Sequence, residues 1–438
     1  MFSRVPYRSL IPSYKINIFK NISQFVKKNL MGDSERYFPN PNPDYEPGFG
    51  RPDIPIPLIK QQIDELTKTI ESEFPAITEY AGDGLYVGTA GVAYMYYHLS
   101  KVSTLSSLKN VYIQRGLEYI EPALEVAKEA SPKYAPSFIL GSAGVIAVAA
   151  ALFHASGDRT ASEAYITQYQ NLANSCIGID FLDCGSDELF VGRAGYVMGA
   201  IWLARETGNI IRKTDIYLLC KVILKSGQDY VTLNRHSAPL IFPYYEVEYL
   251  GAAHGLSSIL QSLMACGYLQ ETHQDRDEIK SAIDYLLGLQ TPDGNFPAAT
   301  DEIGKEPKLV HWCHGAGGVF YLMAKSYLVF KEDKYLQSCK KMADLIWKKG
   351  ILKKGPGLCH GVSGNAYVFL IMFRLTKEPD YLYRAMSFYE FMETDTFKSN
   401  ARTPDNLYSL FEGIAGKVCF LADLTSPEKA IFPFFDIF

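Results

Sequence analysis

Two Cys–His–Gly triplets stand in this chain, Cys313–His314–Gly315 in "LVHWCHGAGG" and Cys359–His360–Gly361 in "GLCHGVSGNAY". Thiol and imidazole are the donors zinc prefers. They also make nucleophile–base dyads, and a glycine beside them lets backbone approach closely. A metal site, a Cys–His nucleophile and a packing corner are therefore the three readings. Two triplets in register favour the metal, with Cys313, His314, Cys359 and His360 as candidate ligands. Four protein ligands would make zinc a staple, and three would leave one face open for chemistry. The dyad reading is weaker, because neither triplet brings an orienting Asn or Asp. A third histidine, His254 in "YLGAAHGLS", also precedes a glycine and is a candidate general acid or base. His98, His154, His236, His273 and His311 read as structural, as do Cys176, Cys184, Cys220, Cys266, Cys339 and Cys419.

Charged residues suggest what such a site would hold. Lys353 and Lys354 precede the second triplet, "ARTPDN" supplies Arg402 and Asp405, and Arg36 lies on the Pro-rich arm "DSERYFPNPNPDY". Each alone reads as a solvated surface charge. Together they could clamp a small molecule through its carboxylates.

The elements that must position these groups are legible as a repeat. A glycine corner recurs as "GTAG", "GSAG", "GRAG", "HGLS", "HGAG", "HGVSG" and "EGIAG", with glycines at 88, 141, 192, 255, 315, 361 and 413. The spacing leaves room for two helices per repeat. After each corner comes a stretch that is apolar nearly all round, such as "VIAVAAALF" or "NAYVFLIMF", as in a doubly buried helix. Between these lie amphipathic stretches such as "IKQQIDELTKTIESEF". Seven inner helices must close into a ring to bury their flanks, so the expected fold is all-α, a double-layered α/α toroid of seven helical hairpins. An open solenoid needs polar caps, and the chain ends instead in "AIFPFFDIF". Strand signal is confined to pieces such as "SAPLIFPYYEV". In a toroid the corners gather at one mouth, so Cys313, Cys359 and His254 become neighbours.

Composition narrows the function. Net charge is −5 and the pI about 6.0, which argues against nucleic acid as a partner. Eight cysteines without a dense framework suit a reduced, cytoplasmic setting. The apolar run "VIAVAAALFHASG" is too short to span a bilayer, and a membrane receptor is the weakest reading. Residues 1–30 carry six Lys and Arg and no acid. They read as a basic extension: a mitochondrial transit segment, an arm for peripheral membrane association, a disordered extension, or the product of a misplaced start with Met31 as the true one. Residues 31–438 are then a single toroid domain.

From "RYFPNPNPDY" to the C terminus the motifs "GAAHGL", "LVHWCHGA", "GLCHGVSGNAY", "RTPD" and "SLFEGIAG" resemble those of the eukaryotic LanC-like proteins, relatives of the bacterial lanthionine cyclases. That resemblance implies a seven-hairpin α/α toroid. It implies zinc held by Cys313, Cys359 and His360, with His254 as acid/base and His314 left as a second candidate catalytic residue. It implies glutathione contacts at Lys354, at Arg402, Thr403, Pro404 and Asp405, and at Arg36 on the arm. The implied activity is addition of the glutathione thiol to dehydroalanine or dehydrobutyrine in proteins and peptides, or to small electrophiles. A non-catalytic glutathione sensor with structural zinc is the alternative. The bacterial cyclases commonly have Cys–Tyr–Gly where this chain has Cys313–His314–Gly315, so no tyrosine role transfers. Their catalytic Asp has no counterpart assigned from the sequence.

Overall fold

A computed structural model describes residues 36–208, 211–268 and 273–438. The basic stretch 1–30 lies outside the described residues. Among the described residues, seven amphipathic helices form an outer layer: α1 (Ile56–Glu73), α3 (Lys109–Lys128), α5 (Arg159–Asn171), α7 (Lys213–Asn234), α9 (His273–Gly288), α11 (Asp333–Lys349) and α13 (Pro379–Glu393). Each buries one stripe; α1 turns Ile59, Ile63, Thr67 and Ile70 inward, three and four residues apart. Seven inner helices alternate with them: α2 (Thr89–Lys101), α4 (Ser142–Ser156), α6 (Arg193–Thr207), α8 (Leu256–Ala265), α10 (Ala316–Phe330), α12 (Val362–Thr376) and α15 (Ile414–Leu424), with the short α14 (Asp395–Asn400) before the last. The inner helices are buried over most of their lengths. Each packs on the next, and α15 packs on α2, so the ring closes. This is the expected double-layered α/α toroid. The stretch that carried the strand signal, 237–247, forms a single isolated bridge, Tyr244 with Val247. None of the described helices is long and apolar enough to cross a membrane.

Every inner helix has a corner glycine as its N-cap, and none is capped by that residue's side chain. The first-turn N–H groups need acceptors, and in four repeats they find carbonyls seven residues upstream. Arg193 N donates to Ser186 O (2.9 Å), Leu256 N to Tyr249 O (3.0 Å), Val362 N to Gly355 O (3.0 Å) and Ile414 N to Leu407 O (2.7 Å). The fifth corner departs from this pattern. Gly315 has φ +95°, whereas the other six corner glycines lie between −78° and −136°. A Cβ on Gly315 would sit 2.0 Å from Leu309 O. Ala316 N donates there to the Asn295 side chain (3.0 Å) instead of an upstream carbonyl.

The C-terminal tail explains why the last repeat lacks a polar cap. It packs inside the ring. Phe434 packs on Tyr94 of α2, Trp202 of α6 and Phe138. Phe432 and Phe435 pack on Trp312 and on Tyr321 of α10. Asp436 pairs with Arg205 and Arg374, and Ile437 O accepts from Lys325 (3.1 Å); all three bases lie in the C-terminal parts of inner helices, away from the corners. The tail therefore fills the ring from the far ends of the inner helices up to the corner residues Trp312 and Phe138, burying aromatic surface that would otherwise face water.

Candidate metal centre

Backbone hydrogen bonds tie neighbouring corners together. Ala253 N donates to Cys313 O (3.2 Å), Cys313 N to Cys359 O (3.1 Å), Cys359 N to Phe411 O (2.8 Å) and Phe411 N to Tyr86 O (3.2 Å). On the other side Leu85 N donates to Ile139 O (2.8 Å) and Ile139 N to Phe190 O (3.2 Å). The third and fourth corners are joined by the side-chain pair of Glu188 with His254, and the loops leading into them by Tyr245 N donating to Cys184 O (2.7 Å). This ring of corners is the frame of the mouth.

Within it Cys313 Sγ, Cys359 Sγ and a ring nitrogen of His360 lie within 4.8 Å of one another. Among the described residues this is the one group of three or more His, Cys, Asp or Glu donors with metal-holding geometry. Both cysteines are buried and His360 is half-buried. The donor set fits zinc, two sulfurs and one imidazole being the donors that ion prefers. Burial, reinforced by the adjoining Cys313 sulfur, holds the Cys359 thiol well above its ordinary range and favours its neutral form. A divalent ion reverses that balance and favours thiolate.

His314, one of the four candidates read from the triplets, does not join the cluster. Its ring lies 5.4 Å from that of Tyr249 and 6.3 Å from that of His254, and its Nδ1 is buried without a hydrogen-bond partner. Burial, then the neighbouring His254, pulls its pKa down to about 3, so the ring is neutral. His311, read as structural, lies at the mouth: its Nδ1 is 3.9 Å from Cys313 Sγ, and its ring is 6.2 Å from that of His360. Burial, then Lys354, lowers its pKa well below the ordinary histidine value. Tyr86 is a further neighbour. Burial, then the Cys359 sulfur, raises its phenol well above the usual range.

His254 is 5% exposed and stacks on Tyr244 with ring centroids 4.7 Å apart. Its Nδ1 lies 2.8 Å from Glu188 Oε2. Glu188 itself accepts from the backbone N–H groups of Phe190 (2.8 Å), Val191 and Gly192 (3.1 Å). Three amides of the segment leading into α6 thus fix a buried carboxylate, and the carboxylate fixes the imidazole. With Nδ1–H donating to Glu188, Nε2 is the nitrogen that can exchange a proton. Sequence reasoning missed Glu188. Its signal was there: Asp187 and Glu188 interrupt an apolar corner, and a buried acid needs dedicated partners. Asp187 has its own in the fully buried Arg193 and in Ser226 (2.6 Å).

The basic residues gather on one side. The arm runs beside the chain that leads into the sixth corner: Phe38 N donates to Ile351 O (2.8 Å) and Lys353 N to Arg36 O (2.9 Å). Arg402 N donates to Lys353 O (2.7 Å), which brings in the "RTPD" segment, and Pro404 packs against Gly355. Lys354 is close enough to Cys313, Cys359, Arg402 and Arg36 for their charges to act on it. Burial lowers its ammonium pKa, the two sulfurs oppose that shift and the two arginines add to it. Arg402 also pairs with Asp405 (2.7 Å), and Thr403 is exposed. Arg36 and His311 line one shallow pocket with Tyr37, Pro307 and Lys308.

Residues 79–437 match the family described as lanthionine synthetase C-like protein. The chain belongs to the lanthionine synthetase C-like family. Its relatives include a Danio rerio protein named glutathione S-transferase LANCL1, 33% identical over 417 residues, which span 92% of this chain and 99% of that one. Among solved structures, nisin cyclase superposes with a TM-score of 0.61 at 16% identity, over 86% of this chain and 96% of the cyclase. At that identity the likeness concerns the fold, and the fold is the closed α/α toroid described above. A LanC-like chain is thus the frame within which these corner residues act, and the LANCL1 relative is by its name an enzyme.

Proposed function

We propose that this chain is a glutathione transferase that adds the glutathione thiol to dehydroalanine or dehydrobutyrine residues of proteins and peptides, or to small electrophiles. The observation that carries the reading is the convergence of Cys313, Cys359 and His360 beside a cluster of Lys354, Arg36 and Arg402. The name of the LANCL1 relative supports glutathione as the substrate. The likeness of the corner motifs to those of the LanC-like family supports an unsaturated peptide as the acceptor.

Cys313, Cys359 and His360 would hold zinc, which when bound supplies the positive charge that keeps an added thiol as its nucleophilic thiolate at neutral pH. Lys354, Arg36 and the Arg402–Asp405 segment bind the carboxylates of the tripeptide and align its sulfur, a proximity contribution. Carbon–sulfur bond formation at the β-carbon of a dehydroamino acid shifts the double-bond electrons to an enolate. His254 takes up the equivalent of the proton that the thiol gives up and delivers it to the α-carbon through Nε2, with Glu188 balancing the imidazolium that precedes the transfer. His314 offers an unpartnered buried nitrogen that a bound acceptor's polar atom would satisfy.

The test is direct. Purified chain with zinc, glutathione and a dehydroalanine peptide yields the thioether, detected by mass. Cys359→Ala yields it only at the uncatalysed rate. Equal rates for the two proteins reject the reading, and tight glutathione binding without turnover would leave a sensor in its place.

A further inference from the structure

Away from the mouth, two cysteines that read singly as core residues are brought together by the hairpin of the fourth repeat. Cys220 lies in the outer helix α7, and Cys266 caps the C-terminal end of the inner helix α8. Their sulfurs are 3.3 Å apart. Tyr217 and Tyr268 hold the same two segments together by an edge-on ring contact at 5.6 Å. A disulfide needs its sulfurs at about 2.05 Å, so bond formation asks for a side-chain adjustment of roughly 1 Å. We propose that Cys220 and Cys266 form a reversible disulfide by exchange with small-molecule disulfides, at a modification site separate from the Cys313–Cys359 centre.

The two thiols have distinct roles. Cys220 is fully buried, while Cys266 is partly exposed and so is the one an incoming disulfide reaches. Hydrogen bonding from Cys220, followed by the Tyr268 backbone N–H and the nearby Lys325 ammonium, lowers the Cys266 pKa despite burial. Attack by the Cys266 thiolate breaks the sulfur–sulfur bond of the small disulfide. It leaves a mixed disulfide and releases one small thiolate. Cys220 then loses its proton, attacks the Cys266 sulfur and displaces the second small thiolate. Two protein thiols are oxidised, one small disulfide is reduced to two thiols, and the two protons pass to the released thiolates.

The zinc-loaded full chain is incubated in buffers of graded glutathione disulfide to glutathione ratio, acid-quenched, alkylated and mapped by mass. Glutathione disulfide serves here as a probe, independently of the proposed transferase reading. The expected result is one linked Cys220–Cys266 peptide pair, a loss of two of the eight thiols, and full reversal by dithiothreitol. Cys220→Ser is expected to trap one glutathione on Cys266, and Cys266→Ser to take none in this region. Absence of the linked peptide at a ratio that fully oxidises a thioredoxin-type dithiol overturns the proposal, as does an adduct in Cys220→Ser that maps away from Cys266. The wild-type mapping stands whether or not the serine variants fold.

Discussion

Replacing Glu188 by glutamine exchanges one carboxylate oxygen for an amide nitrogen in a place where four hydrogen bonds converge. The carboxylate accepts from Phe190, Val191 and Gly192 N–H and from His254 Nδ1. Glutamine has one acceptor oxygen. If that oxygen stays with Val191 and Gly192, its NH2 group faces His254 and Phe190. It then donates to Nδ1, which forces the histidine proton onto Nε2 and removes the negative charge that balances an imidazolium. Nε2 then carries its proton on a neutral ring, a far weaker acid than the imidazolium. Positioned proton transfer contributes about 100- to 10,000-fold, which is about 2.7 to 5.5 kcal/mol of transition-state stabilisation at 1.36 kcal/mol per decade. The expected loss in kcat/KM for thioether formation lies in that range. The stranded Phe190 N–H costs a further ~1–3 kcal/mol of folding stability, read separately by urea unfolding. Glutathione affinity and zinc content should not change, because Glu188 sits in the third corner and the basic cluster on the arm and around the last two. The double variant Glu188→Gln, His254→Gln should be no slower than His254→Gln alone, since residues acting as a unit are not additive. A Glu188→Gln protein that keeps its zinc and turns over within about threefold of wild type would refute the pairing.

Four further expectations follow from named contacts. Cys359→Ala should lose stoichiometric zinc by elemental analysis while far-UV circular dichroism stays helical, and a chelator should lower the melting temperature of the wild type. Lys354→Ala or Arg402→Ala should raise KM for glutathione about tenfold, equivalent to about 1.4 kcal/mol, with a smaller change in kcat. Asn295→Ala removes the acceptor of Ala316 N and the donor to Pro307 O and Leu309 O; a loss of about 2–4 kcal/mol in urea unfolding is expected, with zinc affinity reduced through the displaced fifth corner. His98 pairs with Asp423 (2.9 Å) at the seam where α15 meets α2. Burial opposes protonation there, yet Asp423 outweighs it and the His98 pKa is raised. The pair's contribution is therefore full below the ordinary histidine value and is lost as pH rises through the raised one. His98→Asn should cost about 1.5–3 kcal/mol at pH 5.5 and less at pH 9, by urea unfolding at both.

The sequence by itself determined the repeat, the alternation of outer and inner helices and the closure of the ring. Those follow from local periodicity and from the apolar area that an open end would expose. It also placed both sulfurs at the mouth, because equivalent positions of neighbouring repeats must be neighbours in a toroid. Residue types and spacing did not determine which imidazole accompanies the sulfurs, and only the family resemblance pointed to His360. His314 and His360 occupy identical Cys–His–Gly triplets. They part because the fifth corner enters its helix through Gly315 at φ +95° with Ala316 N held by Asn295, whereas the sixth uses Gly361 at φ −113° and a carbonyl of its own loop. Asn295 is 21 residues upstream of Ala316, too far for a local motif to register. Glu188 and Cys220 were hidden for the same reason: each gains its chemistry from a residue 66 or 46 positions away. Local sequence sets what a segment prefers to be. Only the packed chain sets which donor faces which acceptor, because buried polar groups take their partners from whatever the fold brings within about 3 Å.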